Sequence, residues 1–465
     1  MFNFDTYLSP FTWRYGSPEM RQIWSEENKR LLWREIWYNL ARVQAEFGLV
    51  DNDQLADLGE HVQQVDIARS LQIEAEIHHD LMAELRAFAE QCPVGGGILH
   101  AGATSMDIED NADVIRIRQA LDVIFQKINK ILSIFAVKIT DWAETPVLGF
   151  THLQPAEPTT LGYRMAFYAQ DLLQAAQSIK EMLDSLKGKG FKGAVGTGAA
   201  YAELIGSDNL AIFEERLSQL LGLEFYLVTN QTYPRKQDYD LLCLLSGIGL
   251  ALNKFAFDLR FMQTPAYGEM SEPFGKSQVG SSAMPFKRNP VQSEKINSLA
   301  RMLAQMPGLA WQNGASSLLE RTLDDNANRR TILPESFLIC DELLMTATTI
   351  LDGLQVNFEA IERDLEKYTP FAGTERLLMA LVKAGADRQE MHHRLRKASL
   401  AAWDSVQKSE QNPLIDLVTS DPVFKRYLSK DQMLDLFEIE TYLGDASRRA
   451  ILLADKINEF QKRTL

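Results

Sequence analysis

Apolar residues recur at steps of three and four through the middle of the chain, the pattern of helices with one buried face. Over residues 111–142 they fall at Val114, Ile117, Leu121, Ile124, Ile128, Ile131, Phe135, Ile139 and Trp142. At ~1.5 Å per residue this stripe predicts a rod of ~45 Å. A second stripe runs through Leu161, Met165, Tyr168, Leu172, Ala176, Ile179, Leu183 and Leu186. Further helices are expected over about 239–262, 291–306 and 328–351. Period-two alternation is nearly absent, so strands are not expected. Past about residue 356 the pattern shortens into several small helices.

These stripes predict an all-α fold in three helical domains, about 1–104, 105–356 and 357–465, the central one a bundle of long helices. Such rods carry wide apolar faces, and burial against other subunits is expected to cover them. Glycine and proline punctuate the joints at 92–105 (CPVGGGILHAGATS) and 188–200 (GKGFKGAVGTGAA). A third joint, 264–290, is long for a loop without structure of its own, and such loops carry function. Its glycines at 268, 275 and 280 and its polar residues Glu269, Glu272 and Lys276 predict a lid that is mobile when empty and ordered over a ligand. Residue 158 is expected to begin the helix of the second stripe.

Composition narrows the function. A net charge of -15 makes nucleic acid and anionic membrane surfaces poor partners for the whole protein, so a small anionic ligand needs a local cluster of Arg and Lys. Three scattered cysteines, Cys92, Cys243 and Cys340, form neither a disulfide framework nor a zinc pattern and read as buried thiols in a reducing, cytoplasmic setting. The first ten residues, MFNFDTYLSP, lack a basic and apolar leader. No stretch is expected to reach the ~20 apolar residues of a membrane span. There is no metal-ligand spacing, P-loop or dinucleotide fingerprint, so no cofactor and no metal are expected.

The third joint ends in GSSAMPFKRNP, residues 280–290. Gly280 permits a tight turn, Ser281 and Ser282 offer hydroxyls, Lys287 a charge and Asn289 an amide donor. Pro290 is expected at the first position of the next helix, placing the loop at its positive end. Taken as a whole, this string resembles the signature loop of the fumarase/aspartase superfamily, whose members cleave C–N or C–O bonds and release fumarate. VQSEKINSLAR (291–301), ERTLDDNANRR (320–330), RYGSPEM (14–20), GATS (102–105), GFTHLQPA (149–156) and QTYPRK (231–236) resemble its adenylosuccinate lyase branch. The resemblance spans nearly the whole chain, more loosely after about residue 400.

That resemblance implies elimination of fumarate from a succinyl-amino nucleotide, adenylosuccinate, and also from the succinyl-carboxamide intermediate SAICAR. The chemistry needs a base at the carbon beta to the departing nitrogen, an acid for that nitrogen, and donors around the carboxylates and phosphate. By resemblance His152 is the general acid and Ser281 the base. His79 and His100 match active-site histidines that bind substrate or orient His152. His78 falls at a nucleotide contact where relatives carry arginine or asparagine. Asp80 and Thr151 join the substrate-binding set. The succinyl carboxylates fall to Thr104, Ser105, Gln231, Lys287 and Asn289, and the phosphate to Arg14, Tyr15, Arg321 and Arg330, whose guanidinium forks suit it. Asn326 stands where the family has serine, and Lys295 where it has arginine. His61, His392 and His393 match no site and read as surface residues. The scatter of these positions from 14 to 330 follows, by resemblance, from a homotetramer in which three subunits build each site.

Two other readings compete. Another fumarate-releasing lyase, such as an argininosuccinate lyase, shares the loop, but a substrate without a phosphate needs no Arg14, Arg321 and Arg330. An inactive structural tetramer would have no use for His152, Ser281 and Lys287 together.

Overall fold

The computed structural model describes residues 4–464. Ten of the helices frame the site and the cores: α1 (Glu26–Glu46), α2 (Asp80–Gln91), α3 (Ser105–Asp141), α4 (Leu161–Ser185), α5 (Lys236–Met262), α6 (Val291–Leu303), α7 (Asn326–Asp352), α8 (Phe358–Lys383), α9 (Arg388–Gln407) and α10 (Ala446–Thr464). The fold is all-α, with two small antiparallel pairs of strands: β1 (Pro146–Thr151) with β2 (Gln154–Thr160), and β3 (Met270–Ser271) with β4 (Gln355–Val356).

The helical stripes bury as their spacing demands. From Val114 to Ile139 every apolar position of the α3 stripe is buried, and Trp142 is half-buried just past the helix end. Each such aliphatic or aromatic side chain contributes about 1.5–3 kcal/mol on transfer from water. The segment expected over 291–306 divides into α6 and a separate helix, Met306–Ser316.

The chain divides into two compact units. One holds residues 1–128, 175–250 and 298–345; the other holds 129–174, 251–297 and 346–465. Helices α3, α4, α5, α6 and α7 each contribute residues to both. In the first unit Trp33, Trp37 and Leu40 of α1 cluster with Phe88, Ile108, Phe191, Tyr201 and Phe213. In the second unit Leu377, Leu381, Met391, Leu395, Leu414 and Phe424 form a core, and the β1–β2 hairpin packs on α8.

Four expectations need correction. A hairpin occupies 146–160, so α4 begins at Leu161 rather than near 158; prolines at 146, 155 and 158 hid the strands, since proline is unusual in a ladder. Past residue 356 the helices are not all small: α8 has 26 residues and α9 has 20, the former carrying Pro370 inside it, which obscured its periodicity. Pro290 lies one residue before α6 rather than within it, its carbonyl accepting from Glu294 N. Finally, α5 is long and apolar enough by composition to cross a membrane, although half of its most apolar window is buried, as in a core helix. The long helices leave Val137, Phe167, Leu250 and Phe257 exposed.

Candidate active site

Among the described residues six non-glycine residues have positive φ, and three of them are histidines the sequence puts forward for the site: His78 (56°), His100 (66°) and His152 (52°). Left-handed backbone at such residues costs energy and gathers where function holds it. His152 and Leu153 (60°) are the two central residues of the β1–β2 turn, between the paired Thr151 and Gln154. Positive φ at both is the type I′ hairpin geometry. It presents Thr151 and His152 exposed at the hairpin tip.

Ser281, Lys287, Asn289 and Lys295 belong to the same unit as His152. Among the described residues no hydrogen bond joins His152 to Ser281. The Ser281 Oγ accepts from the backbone N–H of Met284 at 3.1 Å and of Ala283 at 3.3 Å. Two amides aimed at one oxygen favour its charged form. Asn289 Nδ2 donates to Gly280 O at 3.0 Å, closing the loop on itself. Gly280 is required by contact: a Cβ there would stand 2.1 Å from the Lys287 carbonyl oxygen. Lys287 is exposed, and Lys295 is half-buried on α6.

The first half of this loop is not the polar, unburied strap that was expected. Glu269 and Glu272 are both buried. Glu269 takes the Arg164 guanidinium at 2.7 Å. Glu272 accepts from Gln292 N at 3.1 Å and from Ser293 N, capping the positive end of α6. With Ser271 paired to Gln355, the loop is pinned as far as Glu272; beyond it residues 275–277, Val279 and 282–288 are exposed.

The remaining predicted residues lie in the first unit. His79 caps α2, its Nδ1 accepting from Met82 N at 3.5 Å, and its Nε2 lies 3.4 Å from the Ser105 hydroxyl. His78 is exposed at the end of the preceding helix, Ile67–Ile77. His100 Nδ1 accepts from Trp37 Nε1 at 3.0 Å. Burial lowers the His100 pKa, the nearby His79 adds to this, and Asp107 opposes it.

Ser105 begins α3 and Thr104 immediately precedes it. Asp107 fixes that junction by accepting from Thr104 N at 3.0 Å while buried against Lys189 and the Tyr201 hydroxyl at 3.2 Å. Asp80 pairs with Arg330 at 2.7 Å and, with Asn326, they line one cavity of about 110 Å³. Arg14 is exposed at the end of the Pro10–Trp13 helix, its guanidinium 5.7 Å from the Trp13 ring and 6.0 Å from that of Tyr15. Gln231 N donates to Glu320 O at 3.2 Å.

A buried charge network that sequence reasoning missed braces these positions. Arg321 pairs with Asp325 at 2.8 Å; Asp325 with Arg235 at 2.8 Å; and Arg235 with Asp110 at 3.0 Å. Arg329 pairs with Asp113 and with Asp238 at 2.8 Å, and donates to the Tyr233 hydroxyl at 2.5 Å. Burial alone would raise the Asp113 pKa, but Arg329 and Arg116 hold it well below the usual carboxylate range. The arginine of the QTYPRK motif, Arg235, is the sequence signal for this network. His61 is half-buried rather than a surface residue: its Nδ1 donates to Asp57 O at 2.8 Å, beside Cys92, while the Asp57 carboxylate holds the amides of Val94 and Gly95. Cys92 and Cys340 are buried and Cys243 is half-buried, all unpaired.

A family profile described as "Lyase" matches residues 19–304, and one described as "Adenylosuccinate lyase C-terminus" matches 370–450. The adenylosuccinate lyase of Saccharomyces cerevisiae is 39% identical, over 99% of this chain and 97% of its own length. That of Pyrococcus abyssi is 32% identical, over 98% of this chain and 100% of its own length. Among solved structures, 3-carboxy-cis,cis-muconate lactonizing enzyme from Pseudomonas putida has a TM-score of 0.83 at 24% identity, covering 96% of this chain and 99% of that one. A fumarate lyase from Mesorhizobium sp. BNC1 has the same score and identity, over 97% and 99%. These two likenesses speak to the fold.

Proposed function

The chain belongs to the adenylosuccinate lyase family, and from that premise we propose how its residues divide the work. It is a carbon–nitrogen lyase that eliminates fumarate from adenylosuccinate and leaves AMP. In our reading Ser281 takes the proton from the carbon beta to the departing nitrogen, and His152 protonates that nitrogen. Lys287, Asn289, Thr104, Ser105 and Gln231 hold the succinyl carboxylates. Arg14, Tyr15, Arg321 and Arg330 hold the phosphate, with His78, Asp80, Asn326 and Lys295 around the nucleotide. His79 and His100 bind substrate or orient the acid, and Thr151 flanks it.

The observation that carries this assignment is the pair of backbone N–H groups on Ser281 Oγ. They favour an alkoxide in a loop that also bears Lys287, and an alkoxide is what a serine base requires.

The same chemistry extends to SAICAR, which carries its succinyl group on a nitrogen in the same way. In the same reading the chain works as a homotetramer with shared sites, which the exposure of His152 at the hairpin tip and of the apolar Val137, Phe167, Leu250 and Phe257 supports. The division into 1–104, 105–356 and 357–465 is retained as the functional one, and the enzyme is placed in the cytoplasm on its three unpaired thiols. Loss of adenylosuccinate absorbance with release of AMP and fumarate tests the activity. Turnover of argininosuccinate instead, or of neither substrate, would contradict it.

A further inference from the structure

Along one face of α3 lie Ser105, Glu109 and Asp113, four residues apart and therefore stacked above one another. Glu109 lines the 110 Å³ cavity that also receives Asp80, Asn326 and Arg330. Every other carboxylate on that cavity has a cationic partner: Glu26 pairs with Lys29 at 2.7 Å and with Arg30, Asp80 with Arg330, and Asp113 with Arg116 and Arg329. Among the described residues no ion pair or hydrogen bond reaches the Glu109 carboxyl.

We propose that Glu109 is a specificity-determining residue for the nucleotide's phosphate end, admitting the phosphate when its carboxyl is protonated and repelling it when ionised. This rests on the reading of Arg330 as a phosphate ligand. The charged groups around Glu109 are Glu26 and Lys29 on α1, Asp80 on α2, Asp110, Asp113 and Arg116 on α3, and Arg329 and Arg330 on α7. Burial, then the neighbouring Asp80, Asp113 and Asp110, push the Glu109 carboxyl up to about 8, with Arg330 opposing. At neutral pH it is therefore mostly a neutral donor. A phosphate dianion arriving at Arg330 finds that guanidinium already shared with Asp80. A protonated Glu109 can donate a hydrogen bond to a phosphate oxygen, whereas an ionised one adds a charge of the same sign in a confined space. Phosphate binding and protonation of Glu109 then favour each other.

The test compares KM for adenylosuccinate from pH 6.5 to 9.5 in the wild-type enzyme and in Glu109→Gln, which fixes the neutral form. Above pH 8 the wild-type KM is expected to rise relative to that of the variant, by up to about tenfold per pH unit, with kcat moving in parallel in both. The difference is expected to vanish with succinyladenosine, which lacks the phosphate. Wild-type and variant KM profiles that run parallel would overturn the proposal. Calorimetry of AMP binding to the wild-type enzyme at pH 8.5, in two buffers of different ionisation enthalpy, is a second measurement that does not depend on the variant folding. Proton uptake is expected, and its absence would overturn the proposal. Arg330→Gln separates the two readings: an unaltered KM would sink the phosphate assignment, whereas a raised KM alongside parallel pH profiles would sink the role of Glu109 alone.

Discussion

Trp37 Nε1 donates a hydrogen bond to His100 Nδ1 at 3.0 Å, so that the imidazole carries its own proton on Nε2. A half-buried histidine with a lowered pKa, in this tautomer, is a neutral donor. Trp37→Phe removes the group that rewards the neutral ring, and the His100 pKa is expected to rise, read by NMR titration of the ring C–H. The unfolded chain takes up the proton first as pH falls, so this residue's contribution to stability is present above about pH 6.5 and shrinks below it. Melting temperatures should therefore drop more steeply from pH 7 to 5.5 in the wild type than in His100→Asn. Equal slopes would show that His100 is not held neutral.

Much of the fold was legible because burial and helical period coincide: the stripe from Val114 to Ile139 predicted α3, and its residues are buried. The hairpin was not, because its turn is His152–Leu153 rather than the Asn-Gly that usually accepts positive φ at both positions. For the site, the residue types at 281 and 287 could be read from the loop string, but the amides on Ser281 Oγ depend on how residues 281–284 turn. The Asp113–Arg329 and Asp110–Arg235 pairs join residues more than a hundred positions apart, and no local pattern foretells which charge meets which. Glu269 and Glu272 looked exposed for the same reason: their partners, Arg164 and the start of α6, lie elsewhere in the chain.

Removing Arg329 from the buried network leaves Asp238 without its cation and Asp113 with Arg116 alone. Arg329→Met is expected to cost about 3–5 kcal/mol, measured by urea unfolding at pH 7. Asp113 is held low, so its contribution is present above the unfolded carboxylate pKa and is lost as pH falls through the folded one. The penalty of the variant should therefore narrow in strong acid. A cost below about 1 kcal/mol at neutral pH would show the network to be dispensable.

The signature loop divides at its anchor. Amides of residues 268–272 are expected to be protected from hydrogen exchange without ligand, and those of 282–288 to exchange fast until AMP and fumarate are added. Glu272→Gln weakens the cap on α6 and should speed exchange at Gln292 and Ser293. Uniform protection from 268 to 288 in the free enzyme would mean that no part of the loop is a lid.

His152→Ala and Ser281→Ala should each lower kcat by about 10²–10⁴, the usual contribution of a general acid or base, with the oligomer intact by light scattering. Near-wild-type turnover in either purified variant would withdraw that residue's role.

The central claim is that acid and base come from different chains, and subunit mixing tests it most directly. Inactive His152→Ala and inactive Ser281→Ala enzymes are combined in equal amounts, exchanged, and assayed with adenylosuccinate. If each site takes His152 from one chain and Ser281 from another, about a quarter of the sites regain both, since each is intact with a chance of about one half. Recovery of roughly that fraction of wild-type activity is the expected result. No recovery, with exchange confirmed by mass-tagged subunits, would place both residues of each site on one chain and contradict the account.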